Sequence, residues 1–135
     1  MIGLFADAFY YIALLNPSDR AHAEALRISA TLKREIVTTV WVIVEVADAL
    51  HSPARRRHVH HFLANLANRA KTRIIPANED WYARGMALYG ARADKAWSLT
   101  DCISFEVMRE FSLSEALTGD HHFEQAGYRA LFRDA

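Results

Sequence analysis

The 135-residue chain has one cysteine, no net charge and no long apolar run, and each shortage removes a class of protein. A lone Cys102 closes no internal disulfide, and without paired Cys or Cys-His spacing there is no thiolate zinc site. Lys and Arg number 16 and Asp and Glu number 16, so attraction to a polyanion has to come from local patches rather than from the whole-molecule field. No stretch approaches the roughly 20 apolar residues that span a bilayer. The apolar start Met1 to Phe5 lacks a basic leader and a cleavage site, so no signal peptide is expected, and cytoplasm is the expected location. There is no internal repeat, low-complexity tract or linker, which predicts a single domain over 1–135. With 52% apolar and 24% charged residues, the balance is that of an ordinary globular protein and not of a disordered one.

The pattern of what is present alternates between strand and helix. Ile2 to Ala6 is a short apolar run ending on Asp7, which predicts a buried strand of a parallel sheet. Ala8 to Leu15 predicts a helix stopped at Asn16-Pro17, and a second helix from Ser18 carries Ala21, Ala25, Ile28 and Leu32 at helical spacing. The segment Glu35 to Leu50 is rich in β-branched residues; Thr38-Thr39 divides it into a strand and a helix from about Val40 to His51. Ser52-Pro53 breaks that helix, and a basic-faced one is expected over Ala54 to Ala70. Arg73 to Ile75 predicts a minimal strand, Asn78 to Tyr89 a helix terminated by Gly90, and Ala91 to Trp97 a loop. Ser98 or Thr100 caps the next helix, which carries Ile103, Val107, Met108 and Phe111. Ala116 to Thr118 predicts a strand, Asp120 to Gln125 a short helix, and Tyr128 to Phe132 a last strand. This alternation implies an α/β fold: a central parallel sheet of about five short strands flanked by helices.

Four acids stand where such a fold brings residues together. Asp7 follows the first strand, Asp101 opens a helix after a loop, and Asp120 follows the strand Ala116 to Thr118. The carboxyl ends of strands in an open α/β sheet share one edge, where ligands bind. Glu45 differs, because it lies inside the apolar segment Val40 to Leu50, where a carboxylate needs a partner or a cation. Taken singly, Asp7 and Asp120 also fit N-caps, Asp101 fits a helix first turn, and Glu45 fits an exposed helix position. Taken jointly, clustered carboxylates offer hard oxygen ligands suited to Mg²⁺ or Mn²⁺. Such a centre hydrolyses phosphodiesters without a covalent nucleophile.

Two runs carry a family resemblance. Ala93-Asp94-Lys95-Ala96-Trp97-Ser98-Leu99-Thr100-Asp101-Cys102-Ile103-Ser104-Phe105 resembles the third-acid motif of PIN-domain proteins of the VapC-like toxin type. Ala116-Leu117-Thr118-Gly119-Asp120-His121-His122-Phe123, followed by Gly127-Tyr128, resembles the family's closing motif. Asp7 with Ala8 to Leu15, and Thr38-Thr39 ahead of Glu45, resemble its opening and second-acid segments, so the likeness covers nearly the whole chain. Ala8 departs from the Thr or Ser that many relatives carry after the first Asp, which removes an auxiliary hydroxyl. The resemblance implies a PIN-like α/β/α sandwich and metal-binding roles for Asp7, Glu45, Asp101 and Asp120, with Asp120 peripheral and Ser98 a supporting hydroxyl. It implies an Mg²⁺- or Mn²⁺-dependent endoribonuclease that cuts single-stranded or looped RNA, acting as a homodimeric toxin held by a small antitoxin. An antitoxin Arg or Lys inserted near the acids would neutralise them and displace metal.

Other readings compete. A phosphoacceptor signalling domain would need paired acids at the first strand end, but Ala6 and Ala8 flank Asp7. A catalytically silent PIN-like module binding RNA or protein is opposed by the intact set of four acids. His58, His60 and His61 read as surface positions on a basic helix, and His122 stands beside Asp120 without an assigned role. Arg55-Arg56-Arg57 reads as solvated surface; Arg92 and Lys95 are better placed to meet an RNA backbone. Trp41, Trp81 and Trp97 read as core or dimer contacts rather than base-stacking platforms.

Overall fold

A computed structural model describes residues 3–132. The strands are β1 (Leu4–Ala6), β2 (Ile36–Thr39), β3 (Thr72–Ile75), β4 (Glu115–Leu117) and β5 (Arg129–Ala130). The helices are α1 (Ala8–Leu15), α2 (His22–Thr31), α3 (Val40–Ala49), α4 (Pro53–Ala64), α5 (Glu79–Ala91), α6 (Leu99–Glu110) and α7 (His121–Gln125). All strand pairings are parallel and the order is β3-β2-β1-β4-β5, the parallel sheet expected from the alternation. The Ile2 end of the first predicted strand lies outside the described residues. No helix among the described residues is long and apolar enough to cross a membrane.

Central β1 buries Leu4, Phe5 and Ala6 completely, as a strand covered on both faces must. A row of aromatic contacts then ties the helices to it. Phe5 meets Phe123 of α7; Phe123 meets Phe105 of α6 edge-on at 5.0 Å; Phe105 meets Trp97 edge-on at 5.0 Å. The start of α7 and the start of α6 are thereby fixed against the end of β1. Helices α5 and α6 approach closely because Gly85 carries no side chain: a Cβ there would lie 2.2 Å from Ile103 Cγ1.

Several boundaries differ from the sequence reading, each for a local reason. Helix α2 starts at His22 rather than near Ser18, because Asn16 and Asp19 side chains accept from Ser18 N and Ala21 N and hold two turns first. Helix α4 starts on Pro53, which suits a first helical position, and stops at Ala64 instead of Ala70. There Asn65 donates its side-chain amide to His61 O, and a 3-10 turn over Leu66–Asn68 follows. Gly90 does not terminate α5, which continues to Ala91; the chain turns at Arg92, whose guanidinium makes two bonds to Asp94.

Candidate active site

The strand order reverses at β1, and in open α/β sheets the crevice at such a switch point, outside the carboxyl ends of the strands, is where ligands bind. Asp7 emerges there. It occupies the N-cap position of α1 but makes no capping hydrogen bond. Its Oδ2 instead accepts from the hydroxyl of Thr118, 2.8 Å away, just beyond β4. Thr118 is wholly buried and its oxygen also accepts from Asp120 N at 3.1 Å, so one hydroxyl couples the first acid to the turn that carries the last. Thr38 reinforces the same edge by donating to Ala6 O at 2.8 Å, while Thr39 caps α3 through Val42 N, as its position predicted.

Asp101 opens α6 in a reciprocal cap. Ser98 Oγ accepts from Asp101 N at 3.0 Å, and Asp101 Oδ2 accepts from Ser98 N at 3.1 Å. Ser98 therefore supports the site by fixing the backbone and carboxylate of Asp101. The same Oδ2 lies 3.1 Å from His122 Nδ1, which is also 3.4 Å from Asp120 Oδ1. Asp120 caps α7 by accepting from His122 N at 2.9 Å, so its capping explanation holds alongside its contact with the His122 ring.

Glu45 corrects a premise of the sequence reading. It is exposed: of α3 only Val42 and Val46 are buried, and Val44, Ala47, Asp48 and Ala49 face solvent with it. An apolar composition did not imply an interior helix. Glu45 nevertheless faces the other acids, and their charges are felt. Partial burial, then the charges of Asp101 and Asp120, push its carboxyl above the ordinary range.

Asp7 is the most perturbed acid, pushed up to about 7. Burial is the largest cause; the charges of Glu45 and Asp101 add to it, and the Thr118 hydrogen bond opposes it. Asp101 is also raised, first by burial and then by Asp120, against the Ser98 backbone bond and His122. The structure thus brings Asp7, Glu45, Asp101 and Asp120 into one field of mutual repulsion at one edge of the sheet. Hard oxygen donors in that condition suit a divalent cation such as Mg²⁺ or Mn²⁺. Among the described residues, a tighter set of potential ligand atoms, all within 4.8 Å of one another, is Asp120, His121 and His122.

The other singled-out residues fall elsewhere. Arg92 is ion-paired with Asp94 at 2.9 Å and lies over Trp97, so its charge is directed to that loop rather than to any of the four acids. Lys95 lies near enough to Asp94 for its charge to be felt there. His58, His60 and His61 are exposed on α4 and form no ligand cluster among the described residues. Trp97 is buried and donates its indole N–H to Gln125. Two residues of the site were undervalued from sequence: Thr118, quoted only as a strand end, and His122. The adjacency of both to Asp120 was their available signal.

No family model and no curated protein sequence matches the chain; the likeness is structural. It is similar to the crystal structure of the Mycobacterium tuberculosis toxin VapC20, described as cleaving the sarcin-ricin loop. The TM-score is 0.84, the identity 24%, and the match covers 93% of this chain and 96% of that one. The fold is PIN-like. FitAcB from Neisseria gonorrhoeae matches the PIN-like chain with a TM-score of 0.67, 17% identity and 94% of each chain covered. A toxin-antitoxin complex from Klebsiella pneumoniae matches it with a TM-score of 0.62, 18% identity and 88% of each chain covered.

Proposed function

We propose that this single domain, 1–135, is a metal-dependent endoribonuclease that hydrolyses RNA phosphodiester bonds in the cytoplasm as the toxin of a toxin-antitoxin pair. The observation that carries the reading is the state of Asp7: a buried carboxylate at the end of the central strand, lifted to about 7 in a field shared with Glu45 and Asp101. Such an arrangement is costly without a cation and favourable with one. A PIN-like fold shared with a sarcin-ricin-loop-cleaving toxin supports assigning the chemistry to RNA. Likeness to a toxin-antitoxin complex supports an antitoxin partner.

In this reading Asp7, Glu45, Asp101 and Asp120 would hold Mg²⁺ or Mn²⁺, with Asp120 peripheral because it also caps α7. A divalent cation held there would supply Lewis-acid chemistry for hydrolysis of a phosphodiester by water. The chain's own residues do the rest. Thr118 orients Asp7, Ser98 orients Asp101, and His122 sits between Asp101 and Asp120, where its ring holds both carboxylates in place. Lys95, and more weakly Arg92, would meet the RNA backbone beside the site without reading its bases. The protein acts as a homodimer, and an antitoxin arginine or lysine at the acids stops it by replacing the cation's charge.

The test is RNA cleavage with Mg²⁺ and with Mn²⁺ by the wild type and by Asp7→Asn and Asp101→Asn. Cleavage by the wild type and its loss in both variants is expected. Cleavage surviving both substitutions would sink the mechanism, and a wild type that binds RNA without cutting it would make the protein a silent PIN-like module.

A further inference from the structure

At the opposite edge of the sheet, where β2 and β3 begin, lies a cavity of about 540 Å³. Its floor is apolar, built from Leu14 of α1, Leu32 just after α2 and Ile36 of β2, over the buried rings of Tyr10 and Tyr11. Its basic lining residues are Lys33, Arg34, Arg69 and Lys71, and no acidic residue lines it. Arg34 is bound to Glu115 at 2.8 Å. Lys33, Arg69 and Lys71 have no carboxylate ion pair among the described residues. In a chain of zero formal net charge, three uncompensated cations around one hollow form a local anion-attracting field.

Two further features mark this place. Lys71 adopts a left-handed backbone with φ of 60°, a conformation ordinarily given to Gly or Asn. In that conformation its carbonyl accepts from Ile36 N at 2.7 Å, while its ammonium donates to Lys33 O at 2.8 Å. The strained residue therefore ties together the two segments that carry the basic rim. In the floor, Tyr11 keeps a buried hydroxyl without a hydrogen-bond partner, which native interiors seldom tolerate. Tyr10 lies beside it, ring centroids 5.1 Å apart, and both hydroxyls feel the charge of Arg69.

The volume is within the range of small-molecule sites and far exceeds the needs of a bare inorganic ion. Cations on the rim suit a phosphate, and aliphatic walls suit the apolar faces of a flat heterocycle. We propose that this cavity is a nucleotide-binding site, in which Lys33, Arg69 and Lys71 hold the phosphate and the apolar floor of Leu14, Leu32 and Ile36 receives the base. The phosphate can belong to a free mononucleotide or to the 5′ end of an RNA chain; the site is separate from the carboxylate edge and does not depend on the nuclease reading.

Calorimetric titration of the full chain in EDTA, where metal-dependent cleavage is silent, tests it with AMP, adenosine, inorganic phosphate and a 5′-phosphorylated RNA hexamer. Saturable binding of AMP is expected, at least tenfold tighter than adenosine or phosphate and weakened by salt. The double variant R69Q/K71N, in which Asn suits the left-handed backbone, should weaken AMP at least tenfold. R69Q alone, at an exposed position, should weaken it severalfold and guards against a folding defect; R57Q on α4 should change nothing. Tighter binding of the hexamer than AMP through the same residues would identify the RNA end as the source of the phosphate. Binding of neither AMP nor the hexamer, equal affinity for AMP and adenosine, or unchanged affinity in both cavity variants would overturn the proposal.

Discussion

Replacing Asp7 by Asn should stabilise the metal-free protein while abolishing its activity. In the unfolded chain this carboxyl titrates near 3.8; in the folded chain burial, with the charges of Glu45 and Asp101, holds it at about 7. Below pH 3.8 it is protonated in both states and carries no penalty. As pH rises the unfolded chain gives up its proton while the folded chain keeps it, so stability drains away until pH passes about 7. At roughly 1.4 kcal/mol for each tenfold difference in proton affinity, the full penalty is about 4 kcal/mol. Asp7 is only 5% exposed, so solvent screening reduces this little. Asn removes the charge and can still accept from Thr118. Thermal unfolding of both proteins in EDTA at pH 5 and pH 8 reads the effect. At about 4 °C per kcal/mol for a domain of this size, Asp7→Asn should melt roughly 15 °C higher than wild type at pH 8. The gap should shrink to roughly a third at pH 5, where most of the penalty is absent. Adding Mg²⁺ or Mn²⁺ at pH 8 should stabilise the wild type and close the gap, because a cation bound only by the folded state adds its binding free energy to folding. A gap of equal size at both pH values, or a variant less stable than wild type at pH 8 in EDTA, would refute the reasoning.

Three other outcomes follow from single contacts. Thr118→Val removes the hydroxyl that favours ionised Asp7; the metal-free chain's loss of stability with rising pH should begin at the same pH but continue to a higher one and end larger, and cleavage at neutral pH should fall about tenfold, read from a pH-rate profile. Gly85→Ala places a methyl group against Ile103 and should cost about 1–3 kcal/mol in denaturant unfolding, by forcing α5 away from α6. Tyr11→Phe deletes a buried, unpartnered hydroxyl and should leave stability unchanged or raise it by about 1 kcal/mol, since no hydrogen bond is lost.

Apolar periodicity and breakers located the helices and strands well, because those signals act within a few residues. The three prolines, Pro17, Pro53 and Pro76, mark real breaks between elements. Where local signals competed, the boundaries moved: Asn65 ended α4 early by bonding back to His61, and Arg92 turned onto Asp94 beyond a Gly90 that stayed helical. The exposure of α3 was illegible for a different reason. Val44 is 51% exposed, and an apolar residue on a surface looks in sequence like one in a core.

The sequence by itself determined the parallel α/β fold and the acidic character of the candidate site, because the order of short apolar runs and amphipathic helices permits few topologies, and three acids at helix starts with Glu45 inside α3 supply only hard oxygen ligands. The tertiary structure alone decided which acid is perturbed most and what holds it. Asp7 and Asp120 looked alike as caps, yet Asp120 caps its helix while Asp7 turns to Thr118, a partner 111 residues away. A pKa is set by solvent exclusion and by charges brought from distant parts of the chain, and neither exists until the strands pair. The basic cavity at the far edge is of the same kind: Lys33, Arg69 and Lys71 stand unremarkably among 16 basic residues until parallel pairing of β2 and β3 sets their leading segments side by side.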